Sequence, residues 1–396
     1  MRREPSKRLA ELDGLRALAI LPVIFNHVNP TEGWWRWTSV FGQAGWMGVD
    51  LFFILSGYLI TGILLDTVDG KHYYRNFIVR RTIRIFPLYY LCLVIFTLSI
   101  RLSASSREAM NMWGGAGWFF AYLGNIRSSW TNVMPPVFSF GPLWSLQIEE
   151  QFYLFYPIVV LCLSRSNLRR FLISCVVAAP LLRVSLLLFS TNTGVARYVL
   201  TPCRMDSLAL GGLVALLVRS PWRSTLTFAQ ASAWALAAAT GTFLVCAVTG
   251  PDWGSPLMST VGYTLVDITC ALLLTLVVLW PSSPLAKWLR WRPLVYTGTI
   301  AYGLYLLHGP ASWLMRSLIG RVTGFQIGGH SLLSVPITYV SAYIAAGLSW
   351  HFFESPILRL KAHFSGQSAT EESPAGGRSA LPPHRAKEPV AASKDW

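Results

Sequence analysis

Charge is what this 396-residue sequence has least of: Asp, Glu, Lys and Arg make up 13% of it, against about a quarter in soluble globular proteins. With 53% hydrophobic residues and a mean hydropathy of +0.45, that shortage excludes a soluble globular protein and makes the chain an integral membrane protein. Acidic residues are the scarcer sign, 18 against 33 Lys and Arg, for a net charge of +15. The basic residues fall in blocks between hydrophobic segments, the pattern of cytoplasmic loops under the positive-inside rule, and so argue against a nucleic-acid partner. The cysteines (Cys92, Cys162, Cys175, Cys203, Cys246 and Cys270) have neither paired nor metal-ligand spacing; no disulfide framework, zinc site or other metal is expected. No small-residue cleavage site follows the basic start MRREPSKR, so the first apolar run is expected to remain as a span. No repeat of fixed period is visible.

What the sequence does have is a succession of apolar segments. Taking spans of about 17 to 25 residues predicts helices near 12–30, 45–65, 85–102, 144–163, 171–190, 204–218, 229–249, 259–280, 294–315 and 333–353. The fold class is therefore all-α, a polytopic membrane bundle of about ten transmembrane helices. An even count puts both termini on one side, and most Lys and Arg residues fall on that side, which makes it the cytoplasm. Residues 1–360 read as the transmembrane domain. Residues 361–396, rich in Ser, Ala, Gly, Pro and scattered charge, read as a disordered cytoplasmic tail that cannot bury enough apolar surface to order itself. Residues 103–143, rich in Gly and Trp, are expected to form an extracytoplasmic loop that dips into the membrane interface.

Ionisable residues inside such segments are costly and call for a partner or a function. The stretch LDGLRALAILPVIFNHV carries Asp13 and Arg16 at one end and His27 near the other. Eleven residues separate Arg16 from His27, roughly 16 Å along a helix, so a cation and a potential base stand about half a bilayer apart. His27 suits a general base or proton relay, or else an interfacial hydrogen-bonding histidine. In GWMGVDLFFILSGYLI, Asp50 could orient His27 across a short loop, or cap a helix. RNFIVRRTIRIFPLYY places Arg75, Arg80, Arg81 and Arg84 at the cytoplasmic border, with Arg81 and Arg84 on one face; such a cluster can grip phosphate oxygens or contact lipid headgroups. GPLWSLQIEEQFYLFYP sets Glu149 and Glu150 about 100° apart on a helix, so at least one should meet Arg or His, in a structural salt bridge or a catalytic pair. His308, His351 and Glu354, near the C-terminal end of the bundle, read as structural.

Taken together, these stretches resemble the membrane-bound acyltransferase-3 family. LDGLRALA with the later His27, GWMGVDLFFILSGYLI, RTIRIFPLYY, LWSLQIEEQFYLFYP and a late YGLYLLHGP followed by FFESP stand in family order and cover nearly all of residues 9 to 358. The resemblance implies a ten-helix bundle in a bacterial cytoplasmic membrane. It would take an acyl group, often acetyl, from cytoplasmic acyl-CoA and place it on an extracytoplasmic glycan or other hydroxyl-bearing acceptor. It assigns the catalytic histidine to His27, the motif aspartate to Asp50, the donor-side arginines to Arg81 and Arg84 with Arg80 beside them, and the DGLR arginine to Arg16. Glu149 and Glu150 take the motif carboxylates, with their division of labour open. Acyl-CoA would be a donor substrate rather than a resident cofactor. Transfer would run either directly, with His27 as base, or through an acyl-histidine. The esterase-like extension common in the family does not follow the last span, so a second transfer step would fall to a separate extracytoplasmic partner protein. The rival reading is a transporter or exporter of an acylated or anionic glycan, which would also bury His, Asp and Arg at these depths.

Overall fold

The computed structural model describes residues 9–30, 42–103, 115–136 and 140–360, with backbone alone for 99–103. Among them there are helices and no strand. The long helices are α1 (Ala10–Val28), α2 (Gly48–Thr67), α3 (Tyr73–Ser103), α4 (Leu143–Cys162), α5 (Arg165–Phe189), α6 (Thr201–Val218), α7 (Phe228–Thr249), α8 (Tyr263–Leu279), α9 (Ala301–Thr323) and α10 (Ser334–Ser349). Each overlaps one predicted segment. Six stretches are long and apolar enough to cross a membrane: Ala44–Thr67, Tyr73–Leu98, Arg165–Phe189, Gly194–Val218, Phe228–Thr249 and Met258–Leu279. Those stretches fall on α2, α3 and α5 to α8. The remaining long helices, α1, α4, α9 and α10, are shorter or carry more polar residues, among them Arg16, Glu149, Glu150, His308 and Arg316. Large apolar side chains such as Phe155, Leu161, Leu181, Leu188, Leu236 and Phe243 lie exposed along α4, α5 and α7, as on a surface that meets lipid. The protein is an all-α polytopic membrane bundle.

Small residues set how the helices cross. A Cβ at Gly57 of α2 would lie 2.0 Å from the Leu208 carbonyl oxygen of α6, and one at Gly211 of α6 would lie 2.1 Å from the Ile54 carbonyl oxygen of α2. The two glycines thus let two backbones touch reciprocally, the close packing that membrane helices use where no hydrophobic drive holds them together.

Three boundaries depart from the expectation. The third helix begins at Tyr73 rather than near 85, because Tyr73, Phe77, Ile85, Leu88 and Tyr89 bury one helical face through the arginine-rich stretch. The predicted segment 294–315 is divided between a short helix, Arg292–Thr299, and α9. The region expected as a loop contains two short helices, Ala116–Phe120 and Gly124–Thr131. It is fastened to α4 where Gln147 accepts from the Asn125 backbone N–H at 2.5 Å and Gln151 donates to the Tyr122 carbonyl at 2.8 Å. The basic start, residues 31–41, the parts of the expected 103–143 loop at 104–114 and 137–139, and the expected tail 361–396 lie outside the described residues.

Candidate active site

The first cavity opens where α1, α2, α3, α4 and α9 converge. Arg16, Arg81, Arg84 and Glu149 supply its charge, and Ser56, Tyr153, Tyr302 and Tyr305 its hydroxyls. Arg81 and Arg84 reach it together because they stand three apart on a continuous helix; Arg80, rotated about 100° from Arg81, does not line it. The same rotation separates the two glutamates. Glu149 lines the cavity and accepts from the Tyr153 hydroxyl at 3.1 Å, while the Tyr153 oxygen accepts from Ser56 at 2.7 Å. Glu150 does not line it, and its Oε1 has no hydrogen-bond partner among the described residues. The expected ion pair from these glutamates to Arg or His is not among those of the described residues; a tyrosine holds Glu149 instead. Arg16 is bound by Asp13 one turn back, and the Arg81 guanidinium lies over the Phe77 and Tyr153 rings, at 5.6 and 5.7 Å. A guanidinium packed against aromatic rings keeps N–H donors available, and such donors suit phosphate oxygens.

The second cavity lies at the other end of α1, lined by His27 and by His308, Ser312 and Arg316 of α9, with His330 and Thr338. His27 Nδ1 meets His308 Nε2 at 2.8 Å, with the rings 5° from parallel. His308 is fully buried, and its Nδ1 sits 3.0 Å from the Leu304 carbonyl oxygen and 2.9 Å from that of Tyr305. Carbonyls only accept, so His308 Nδ1 carries the hydrogen and its Nε2 offers a lone pair. That lone pair accepts from His27 Nδ1–H, which leaves His27 Nε2 unprotonated. A chain of fixed tautomers therefore makes one nitrogen of His27 a proton acceptor.

Tyr305 stands between the cavities. Its ring lines the first, its carbonyl holds His308, and its ring centroid is 6.5 Å from that of His308. Its hydroxyl donates to the Pro142 carbonyl at 2.7 Å and accepts from Ser145 at 2.6 Å. Arg16 and His27 thus mark two cavities on one helix, with a tyrosine between.

The family described as an acyltransferase domain, acyltransferase-3, matches residues 9–351. The chain belongs to that family. Among relatives, it is 32% identical to a Bacillus subtilis protein with the provisional name peptidoglycan O-acetyltransferase, over 87% of this chain and 54% of that protein. It is 29% identical to the peptidoglycan O-acetyltransferase OatA of Listeria monocytogenes, over 89% of this chain and 56% of that protein. The chain thus spans about half the length of the curated relatives it matches. No solved structure matches it.

In this acyltransferase-3 domain Asp50 does not adjoin His27. Gly45 and Gly48 are the residues turned toward α1, where their Cβ atoms would meet the Pro22 and Ala19 carbonyl oxygens at 2.1 and 2.2 Å. Asp50, about 200° around the helix from Gly48, points the other way, to Arg204 of α6. Both side chains are fully buried, and the Arg204 guanidinium lies 4.4 Å from the centre of the Tyr263 ring. A second buried pair stands on the same side of the bundle: Arg183 to Asp206 at 2.8 Å, with Arg183 also donating to the Cys203 carbonyl at 2.5 Å and to Thr264 at 2.7 Å. Sequence reasoning missed Arg204 and Asp206 as partners and took His308 as structural. The available signal for His308 was an imidazole inside an apolar span, the same feature that singled out His27.

Proposed function

We propose that this domain catalyses O-acyl transfer, moving an acyl group, acetyl foremost, from cytoplasmic acyl-CoA to a hydroxyl of an extracytoplasmic glycan. The observation that carries the reading is the pairing of a guanidinium-lined cavity with a histidine-dyad cavity across Tyr305. The names of the relatives suggest a peptidoglycan-type acceptor. Both termini would be cytoplasmic, in a bacterial cytoplasmic membrane.

In this reading Arg16, Arg81 and Arg84 hold the donor's phosphates, and the extended pantetheine arm runs past Tyr305 to deliver the thioester near His27. His27 Nε2 removes the proton from the acceptor hydroxyl as its oxygen attacks the thioester carbonyl. The new C–O bond forms, the C–S bond breaks, and the proton on His27 passes to the departing thiolate to give CoA-SH. His308 keeps the charge-bearing imidazole in the productive tautomer. Glu149 and Tyr153, bound to each other at the first cavity, position the donor rather than move the proton.

The test is incubation of the purified protein, in lipid nanodiscs, with radiolabelled acetyl-CoA and isolated cell-wall glycan. Label should enter the glycan as an alkali-labile ester, with stoichiometric CoA release. Glycan that stays unlabelled while the protein binds and moves it across a vesicle membrane would establish the exporter reading instead.

A further inference from the structure

The second cavity holds a cation that the transfer chemistry above leaves unused. Arg316 stands on α9 two turns beyond His308 and lines the same space. Its Nε donates to the Ser312 carbonyl at 3.4 Å, which turns the guanidinium back along the helix toward the dyad, in the direction helical side chains lean. On the far side is Gly329, where a Cβ would come within 2.9 Å of an Arg316 terminal nitrogen; a glycine is what leaves room for the guanidinium. Among the described residues no acidic side chain lines this cavity, and Arg316 has no carboxylate partner. The contrast is with Arg183, Arg204, Arg219 and Arg290, each paired with an acid.

We infer that Arg316 is a specificity determinant that binds an oxyanion, a carboxylate or a phosphate, carried by the acceptor itself. The inference rests on the acyl-transfer reading for what the cavity receives. Eight residues separate Arg316 from His308, about 12 Å of helix rise, and the back-turned side chain shortens that distance. The anion therefore sits within a sugar unit or two of the hydroxyl that His27 activates. A guanidinium edge offers an oxyanion two parallel N–H donors, which would fix the acceptor's orientation as well as its charge. A neutral glycan presenting the same hydroxyl would lack that anchor.

The experiment measures equilibrium binding of glucuronate, glucose 6-phosphate and glucose to the full-length protein in nanodiscs, for the wild type, Arg316→Gln and Arg316→Lys. These sugars share most of their hydroxyls and differ in the anion. Wild type should bind at least one charged sugar ten-fold or more above glucose, and which one identifies carboxylate or phosphate. Arg316→Gln should erase the preference, and Arg316→Lys should keep part of it. Acetyl-CoA affinity, read at the other cavity, should be unchanged in both variants and reports that they fold. Equal affinity of the wild type for all three sugars, no measurable binding of any, or a preference that survives Arg316→Gln would each overturn the inference. A wild type that transfers acetyl without any anion preference would leave the acyltransferase reading standing, whereas one that shows the preference but transfers nothing would remove that reading alone.

Discussion

Replacing His308 tests the dyad more sharply than replacing His27, because His308 touches no substrate in the proposed reaction and acts only through its neighbour. In His308→Ala the His27 Nδ1–H loses the acceptor that stands 2.8 Å away, and the imidazole is free to rotate and to adopt the other tautomer. A positioned general base contributes about 10²- to 10⁴-fold, which sets the ceiling on what its orienting partner can be worth. We expect kcat to fall by about 10²-fold, about 2.7 kcal/mol of transition-state stabilisation. The donor KM should stay within about two-fold, since His308 does not line the first cavity and Tyr305, which does, keeps its hydroxyl bonds to Pro142 and Ser145. His308→Gln, whose side-chain oxygen can accept from His27, should recover about ten-fold of the loss. His27→Ala should abolish transfer, and adding His308→Ala to it should cost nothing more, because residues that act as a unit are not additive. The assay is label transfer from radiolabelled acetyl-CoA into alkali-labile ester in native membranes, with donor concentration varied. Unchanged kcat in His308→Ala, or multiplicative losses in the double variant, would refute the tautomer chain.

Further outcomes follow from the other elements of the site. Replacing Arg81 and Arg84 together by Gln should raise the donor KM by about 10- to 100-fold, as expected for a total loss of about 1.5–3 kcal/mol with Arg16 still holding the phosphates, and equilibrium acetyl-CoA binding checks it. Glu149→Gln should impair transfer while Glu150→Gln leaves donor binding unaltered, because Glu149 alone of the two lines the cavity; a donor KM changed by Glu150→Gln instead would reverse that assignment. Asp50→Asn should lower stability by about 3–5 kcal/mol by stranding the buried Arg204 charge, visible as a fall in melting temperature in detergent; a variant of full thermal stability and no activity would return Asp50 to the chemistry. Gly298→Ala should reduce folded protein in the membrane, because its Cβ would lie 1.8 Å from the Asp13 carbonyl oxygen and push the short helix Arg292–Thr299 off α1; normal accumulation would mean that contact yields.

Much of this was legible in the sequence, and what was not has a common physical origin. Hydropathy located the helices, and helical spacing correctly put Arg81 and Arg84 on one face, because both properties are local. The polar helices α1 and α4 stood out because their motif residues interrupt the apolar pattern. The pairings were less accessible. Asp50 is close to His27 in sequence, yet the glycines at 45 and 48 give the α1-facing side of α2 to backbone contact and turn the aspartate toward Arg204. His308 is 281 residues from His27, and neither residue's surroundings in the sequence name the other. Which of Glu149 and Glu150 faces the first cavity was undecidable for the same reason: a 100° rotation separates them, and the packing of α4 alone chooses between them.

The tyrosine between the two cavities bears on how a cell membrane stays electrically tight around this protein. A continuous aqueous passage from the arginines to the histidines would let protons run down the membrane potential. Tyr305, tied at its hydroxyl to Pro142 and Ser145, narrows the way between the two cavities, and the donor arm that passes it would fill what space is left. Under the proposed transfer, only the pantetheine arm and the acyl group on its thioester have to pass that point, and neither carries a net charge. The donor's phosphates stay on the side where they bound, so the step avoids the roughly 2.3 kcal/mol that 100 mV exacts for each charge moved. Acylation of the outer glycan would then proceed at the same rate in energised and de-energised membranes, and need no ion gradient to drive it.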